Sequence, residues 1–185
     1  MHKIVSSIAI FNERIGKFFS WFTFLLVLLI FADVVMRYLF NFTLIWVVEL
    51  ETYFFALIFM MGGGYTLLHQ KHVRVDLFYS NFSAKRKAWV NLFGGLFFLL
   101  PWAAISAYAS WGYFFSSFQL GERSPQPGGL PALYLLKFIL FAGFALLILQ
   151  AIATILDSLL TIFDKSAQEI RTKIDSSQTD GTWEL

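Results

Sequence analysis

The chain has 185 residues, of which 58% are hydrophobic and only 14% charged, with a net charge of +2 and no cysteine. Soluble domains carry about 25% charged residues, and no soluble core of this size could absorb 23 phenylalanines, whereas lipid accepts them. The composition excludes disulfides and thiolate metal or redox chemistry, and its small basic excess, clustered beside apolar runs, gives no footprint for nucleic acid.

Residues 1–16 are amphipathic. Ile4, Ile8, Phe11 and Ile15 recur at intervals of four, three and four, which places them on one helical face. Two readings are open: a helix lying in the membrane interface as a separate element, or an extension of the span that follows. That first span covers about 17–36, with Trp21 as an interface anchor. Its length satisfies the roughly 20 apolar residues needed to cross about 30 Å of hydrocarbon. It reads as a span and not as a cleaved signal peptide, since no A-x-A-like cleavage site follows it. At its far end Asp33 and Arg37 stand i,i+4 on one helix face, the spacing of an intrahelical ion pair.

Asn41 to Thr43 form a polar turn, and Trp46 marks the next interface. The second span covers about 47–68, with Glu49 and Glu51 in its first turn, where carboxylates suit the positive helix end. Gly62, Gly63 and Gly64 permit close backbone approach near its exit, or simply loosen it. The polar stretch from His69 to Lys87 then carries five of the 14 Lys and Arg residues: Lys71, Arg74, Lys85, Arg86 and Lys87.

The third span covers about 89–118. Thirty residues would make a helix of about 45 Å, which must tilt, kink or protrude, and Pro101 is the expected kink. Ala103/Ala107 and Ser106/Ser110 are small-xxx-small pairs that let membrane helices pack closely, with a partner subunit slightly favoured over this chain's own helices. Residues 119–131, dense in Gly and Pro, are a loop. Pro131 opens the fourth span, about 131–162, as a first-turn residue. Gln150 and Thr154 inside it are suited to hydrogen bonding with a neighbouring helix. Residues 163–185 form a polar tail.

The fold class expected is therefore all-α and integral to the membrane, with four transmembrane helices preceded by an interfacial amphipathic segment. Eleven basic residues fall on the side holding both termini and the central loop, against three on the other. Basic residues beside spans stay in the cytoplasm, so both termini are expected there. The chemistry is sparse. His2, His69 and His72 all lie outside the spans, so no buried pair of axial haem ligands exists. No nucleophile triad or phosphate-binding loop is present, and no carboxylate stands at mid-membrane, where a proton-coupled carrier keeps one. No catalytic, metal or cofactor site is expected, and the chain is not read as an enzyme.

Asp33-x-x-x-Arg37-Tyr38, then Trp46 and Glu49-Leu50, then His72-Val-Arg74-Val-Asp76, then Leu130-Pro131 resemble the small membrane subunit (the DctQ-like, or Q, subunit) of tripartite ATP-independent periplasmic (TRAP) transporters. The resemblance covers about residues 12–162 and makes Asp33, Arg37, Trp46, Glu49, His72, Arg74, Asp76 and Pro131 candidate structural or partner-contact residues. It implies a scaffold in the bacterial inner membrane. Such a subunit permanently binds a larger membrane subunit, which carries sodium-driven uptake of a carboxylate-bearing solute delivered by a periplasmic binding protein. Two alternatives from other classes are a self-sufficient four-helix multidrug-type transporter and a haem- or quinone-binding anchor of an oxidoreductase. The first relies on a carboxylate within its first helix, whereas Asp33 lies near that helix's outer end; the second needs intramembrane histidines.

Overall fold

The structure, a computed structural model, describes residues 2–69 and 82–163. Four helices account for almost all of them: α1 (His2–Phe40), α2 (Ile45–Leu68), α3 (Ala84–Gln119) and α4 (Leu133–Phe163), each long and apolar enough to cross a membrane. At 1.5 Å per residue they measure about 58, 36, 54 and 46 Å, so three of them exceed the roughly 30 Å hydrocarbon layer by a wide margin. Their alternating direction puts the starts of α1 and α3 and the ends of α2 and α4 at one end of the bundle, here the terminal end. The 41–44 turn and the 120–132 loop lie at the distal end.

No break separates residues 2–16 from the first span, since α1 is a single helix of 39 residues. Of the two readings open for this segment, the extension describes it. A lone Gly16 does not interrupt a helix, and here it is packed, because an added Cβ would stand 2.5 Å from the Tyr65 Cβ on α2. The packed face of this segment lies beside the apolar stripe, at Asn12 and Gly16, while Ile4 and Phe11 of the stripe stay exposed. Asn41, at φ 49, turns the chain out of α1, a left-handed conformation that Asn tolerates better than most residues.

α3 starts at Ala84, five residues before the expected start of the span, so Lys85, Arg86 and Lys87 are helical and not part of a loop. Its middle is a wide π turn, Gly94–Leu99, in which the Leu100 N–H donates to the Gly95 carbonyl. The cause stands one residue on. Pro101 lacks the N–H that would close the preceding α turn, and its ring crowds the carbonyl four residues back; the wider turn relieves both.

The last helix is the centre of the molecule. α1, α2 and α3 all pack on α4, α1 also packs on α2, and α1 and α3 sit at opposite edges. The burial pattern follows from this order. α1 buries only Asn12, Gly16, Leu26 and Asp33, a narrow seam close to the 3.5-residue repeat of paired helices. α3 buries Ala88, Leu92, Gly95, Ala103, Ala107 and Ser117. The Ala103/Ala107 pair is therefore used inside the chain and not toward a partner. α4 and α3 are joined along their length by aromatic rungs: Trp111–Phe141 at 5.0 Å, Phe114–Phe138 at 5.2 Å, Phe118–Tyr134 at 5.5 Å, and Trp102–Phe144 at 5.5 Å between ring centres. Each such pair is worth about 0.5–1.5 kcal/mol beyond its buried area.

Of the three consecutive glycines, one is a contact. An added Cβ at Gly64 would stand 2.5 Å from Asn12 Oδ1 and 3.3 Å from the Leu146 carbonyl, whereas at Gly62 and Gly63 it would meet nothing. Asn12 is buried and cannot swing away. Gly64→Ala is thus expected to destabilise the folded chain by about 1–3 kcal/mol through overpacking, and Gly63→Ala to stabilise it by about 0.5–1 kcal/mol through helix propensity. Thermal unfolding of both variants in detergent, followed by circular dichroism, measures the difference in sign.

Candidate functional site

The polar side chains that lie inside this apolar body gather at two levels. At the level of Gly64, Asn12 on α1 donates from Nδ2 to Gln150 Oε1 on α4 at 3.0 Å, and both are buried. Gln150 thus bonds a neighbouring helix as its position suggested, while Thr154 donates to the Gln150 carbonyl of its own helix at 2.9 Å. Asn12 was not singled out from sequence. An amide at the edge of the apolar stripe of an amphipathic segment is its signal.

The denser constellation is at the distal end, where the 120–132 loop is tied down from two sides. α2 starts at Ile45, so Glu49 and Glu51 stand in its second turn and not its first, clear of the helix end they were expected to complement. That shift sends Glu49 toward the loop. One of its carboxylate oxygens accepts from Ser124 Oγ, and the other accepts the Leu130 N–H at 2.6 Å. The Ser124 N–H closes the loop on the Leu130 carbonyl at 3.1 Å. Gly128 and Gly121, at φ 79 and 58, supply left-handed turns. Tyr53 OH, one turn along α2 from Glu49, donates to the Ala132 carbonyl at 3.2 Å.

From the other side, Glu122 receives an ion pair from Lys137. Lys137 is buried in α4, and its ammonium lies 3.8 Å from the Tyr113 ring centre, so a ring face and a carboxylate together replace its water. The Lys137 hydrogen bond holds the Glu122 carboxyl below the usual carboxylate range. The Glu122 backbone is fixed too: its N–H donates to Ser117 at 3.0 Å and its carbonyl accepts from Leu133 at 3.1 Å. Lys137 is one of the three basic residues counted on the distal side, with Arg37 and Arg123. The stronger signal was a lysine inside an apolar helix, which needs a named partner.

Asp33 accepts from Arg37 one turn along α1; the Asp is buried and the Arg about half exposed. The structure brings Asp33, Arg37 and Glu49 to the distal end, with Trp46 exposed there. Pro131 is exposed and sits two residues before α4 begins at Leu133, so it belongs to the loop and not to the first turn. The loop is latched at Leu130 and Ala132, and this delays helix entry. His72, Arg74 and Asp76, like Lys71 and the polar tail, lie outside the described residues. Among the described residues no group of three or more His, Asp or Glu side chains could hold a metal ion. The chemistry of the arrangement is tethering: charge-assisted hydrogen bonds that fix a loop and three helix ends.

Two outcomes test the latch. Replacing Glu49 with Ala removes a charged acceptor from the Leu130 N–H, a loss of about 1.5–3 kcal/mol locally. That amide should exchange with deuterium more than tenfold faster, with Gln at the same position intermediate. The Glu122 tie has a direction in pH. A carboxyl depressed in the fold contributes stability above its unfolded pKa and loses it as pH falls through the folded value. Proteolysis of the 120–132 loop should therefore stay slow at neutral pH and rise below the usual carboxylate range, and Glu122→Gln should remove that acid dependence.

The family described as "Tripartite ATP-independent periplasmic transporters, DctQ component" matches residues 26–161. One relative is the C4-dicarboxylate TRAP transporter small permease protein DctQ of Vibrio cholerae serotype O1 (strain ATCC 39315 / El Tor Inaba N16961), 33% identical over 73 residues, 39% of this chain and 32% of that protein. This chain thus covers about a third of that relative's length. No solved structure matches.

Proposed function

We propose a scaffold role from the premise that the chain belongs to the DctQ component family of tripartite ATP-independent periplasmic transporters. It acts as the small permease subunit, supporting a large membrane subunit in the sodium-driven uptake of a carboxylate-bearing solute that a periplasmic binding protein delivers. The observation that carries the reading is where the polar groups of the helices go. Asn12 meets Gln150, Asp33 meets Arg37, Lys137 meets Glu122, and Glu49 meets the loop. These side chains are occupied in holding the chain together, which suits a body that stays fixed while another subunit moves.

The orientation that accompanies this reading puts both termini in the cytoplasm and the 120–132 loop in the periplasm, as the basic residues favour. Asp33, Arg37, Trp46, Glu49 and Pro131 then face the periplasmic boundary, where large subunit and binding protein meet the chain. The role of His72, Arg74 and Asp76 at the opposite boundary is likewise contact with the large subunit. The solute class extends what the Vibrio cholerae relative's name says of that protein, C4-dicarboxylate, in its chemistry only.

Reconstitution tests the proposal. The purified chain in proteoliposomes is expected to move no dicarboxylate under an inward sodium gradient. Uptake should appear only when the large subunit and the loaded binding protein are both added. Dicarboxylate or cationic-dye flux through this chain alone would overturn the scaffold reading.

A further inference from the structure

The first turn of α3 is electrostatically unusual. A helix start carries four N–H groups without intrahelical partners and the positive end of the macrodipole, so carboxylates are favoured there and cations are not. Here the cap residue Ser83 makes no side-chain capping bond, and the turn holds no acid. It carries Lys85, Arg86 and Lys87 in succession. Lys85 and Arg86 are both exposed and have no ion-pair partner among the described residues. Two exposed cations on a positive helix end, Lys85 and Arg86, repel one another and the backbone dipole, and an anion seated between them adds attractions that offset this repulsion.

A second feature continues from that turn. Trp89, Phe93 and Phe97 follow Lys85 at i+4 steps. Their rings are stacked, with centres 5.4 Å apart at 21° and 6.0 Å apart at 16°, and all three are exposed. Beside them Gly94 presents open space. From Lys85 to Phe97 the helix rises about 18 Å, close to the depth of one leaflet's hydrocarbon, about 15 Å. A basic turn joined to an aromatic wall of one-leaflet depth has the dimensions of a single lipid molecule. An acidic protein segment would use the turn but not the wall.

We infer that Lys85, Arg86 and the start of α3 hold the phosphate of an anionic phospholipid, whose acyl chain lies along Trp89, Phe93 and Phe97. The site needs only that α3 crosses a membrane, so it stands apart from the transport reading. It fixes the depth of a helix that is longer than the bilayer is thick and would otherwise slide or tilt.

Native mass spectrometry of the full chain released from detergent, with phosphatidylglycerol or phosphatidylcholine of the same chain length, tests it. Wild type should retain phosphatidylglycerol preferentially. Lys85→Gln/Arg86→Gln should weaken that retention about 30-fold, the effect of removing two basic residues near an anionic surface. Trp89→Ala/Phe93→Ala should shorten retention of the long-chain lipid while leaving the headgroup preference intact. Circular dichroism confirms that each variant keeps its helices. Lys3→Gln/Arg14→Gln, which removes two exposed cations from the same end of the molecule, should change nothing. Equal loss in that control would mean diffuse attraction and overturn the site. So would equal retention of phosphatidylcholine, or displacement of the lipid by millimolar glycerol phosphate as readily as by lipid. A Lys85→Gln/Arg86→Gln variant that keeps its lipid but no longer copurifies with the large subunit would assign the turn to a protein partner instead.

Discussion

Inside a bilayer a polar side chain has no water to fall back on, so it must find its partner in the protein. In this chain that requirement decides which helices meet and where. Many hydroxyls solve it locally: Thr66, Ser110, Thr154, Ser158 and Thr161 each donate to the carbonyl four residues back, at 2.7–2.9 Å. The amides and charges cannot turn back so easily. Asn12 and Gln150 tie the start of α1 to the later half of α4, Glu49 ties α2 to the loop, and Lys137 ties α4 to the same loop. Apolar packing then fills the space between these fixed points.

The arrangement that results is not a closed square: α1, α2 and α4 pack on one another, and α3 packs on the far side of α4. Among the described helices α4 is the most central, and it directs polar groups to two sides: Gln150 toward α1 and Lys137 toward α3 and the loop. α1 and α3 lie at the edges and bury only one narrow seam each. The rest of their perimeter, from Phe18 and Phe24 on α1 to Phe98 and Trp102 on α3, is exposed and apolar. An open bundle with exposed apolar edges adds membrane-facing width, which is the physical sense of a supporting subunit.

Much of this was legible in the sequence, because the rules involved are coarse. Twenty apolar residues make a span wherever they occur, a proline inside one disturbs it, and Gln150 in a helix of leucines must bond a neighbour. The first-helix pair was legible as well, since Asp33 and Arg37 are one turn apart and nothing beyond the local helix is needed to join them. What escaped is what depends on tertiary context. An apolar stripe at residues 4–15 does not show that the face packed on α2 and α4 lies beside it, at Asn12 and Gly16. Ala103 and Ala107 show their spacing but not their partner. Glu49 could not be assigned to Leu130, 81 residues away, because that meeting depends on how α4 seats beside α2. The most specific sequence element, at His72, Arg74 and Asp76, lies outside the described residues.

Buried ion pairs are poor stabilisers, since desolvating both charges offsets much of their attraction. The presence of Lys137 within α4 therefore calls for a reason other than stability, and the aromatic rungs supply one. Rings on α3 at positions 102, 111, 114 and 118 face rings on α4 at 144, 141, 138 and 134. A slide of one turn would still put ring against ring. Apolar packing alone leaves the register of these two helices poorly defined. The polar ties do not share that tolerance. A shift of one turn, about 5.4 Å, would carry the ammonium away from Glu122 and the Tyr113 face together, stranding a cation in a medium that cannot solvate it. Because the Glu122 backbone is itself bonded to Ser117 on α3 and to Leu133 on α4, the carboxylate cannot follow. One charged pair on a braced loop thus selects a single register from several that the aromatic interface would accept, and in doing so sets the position of the loop.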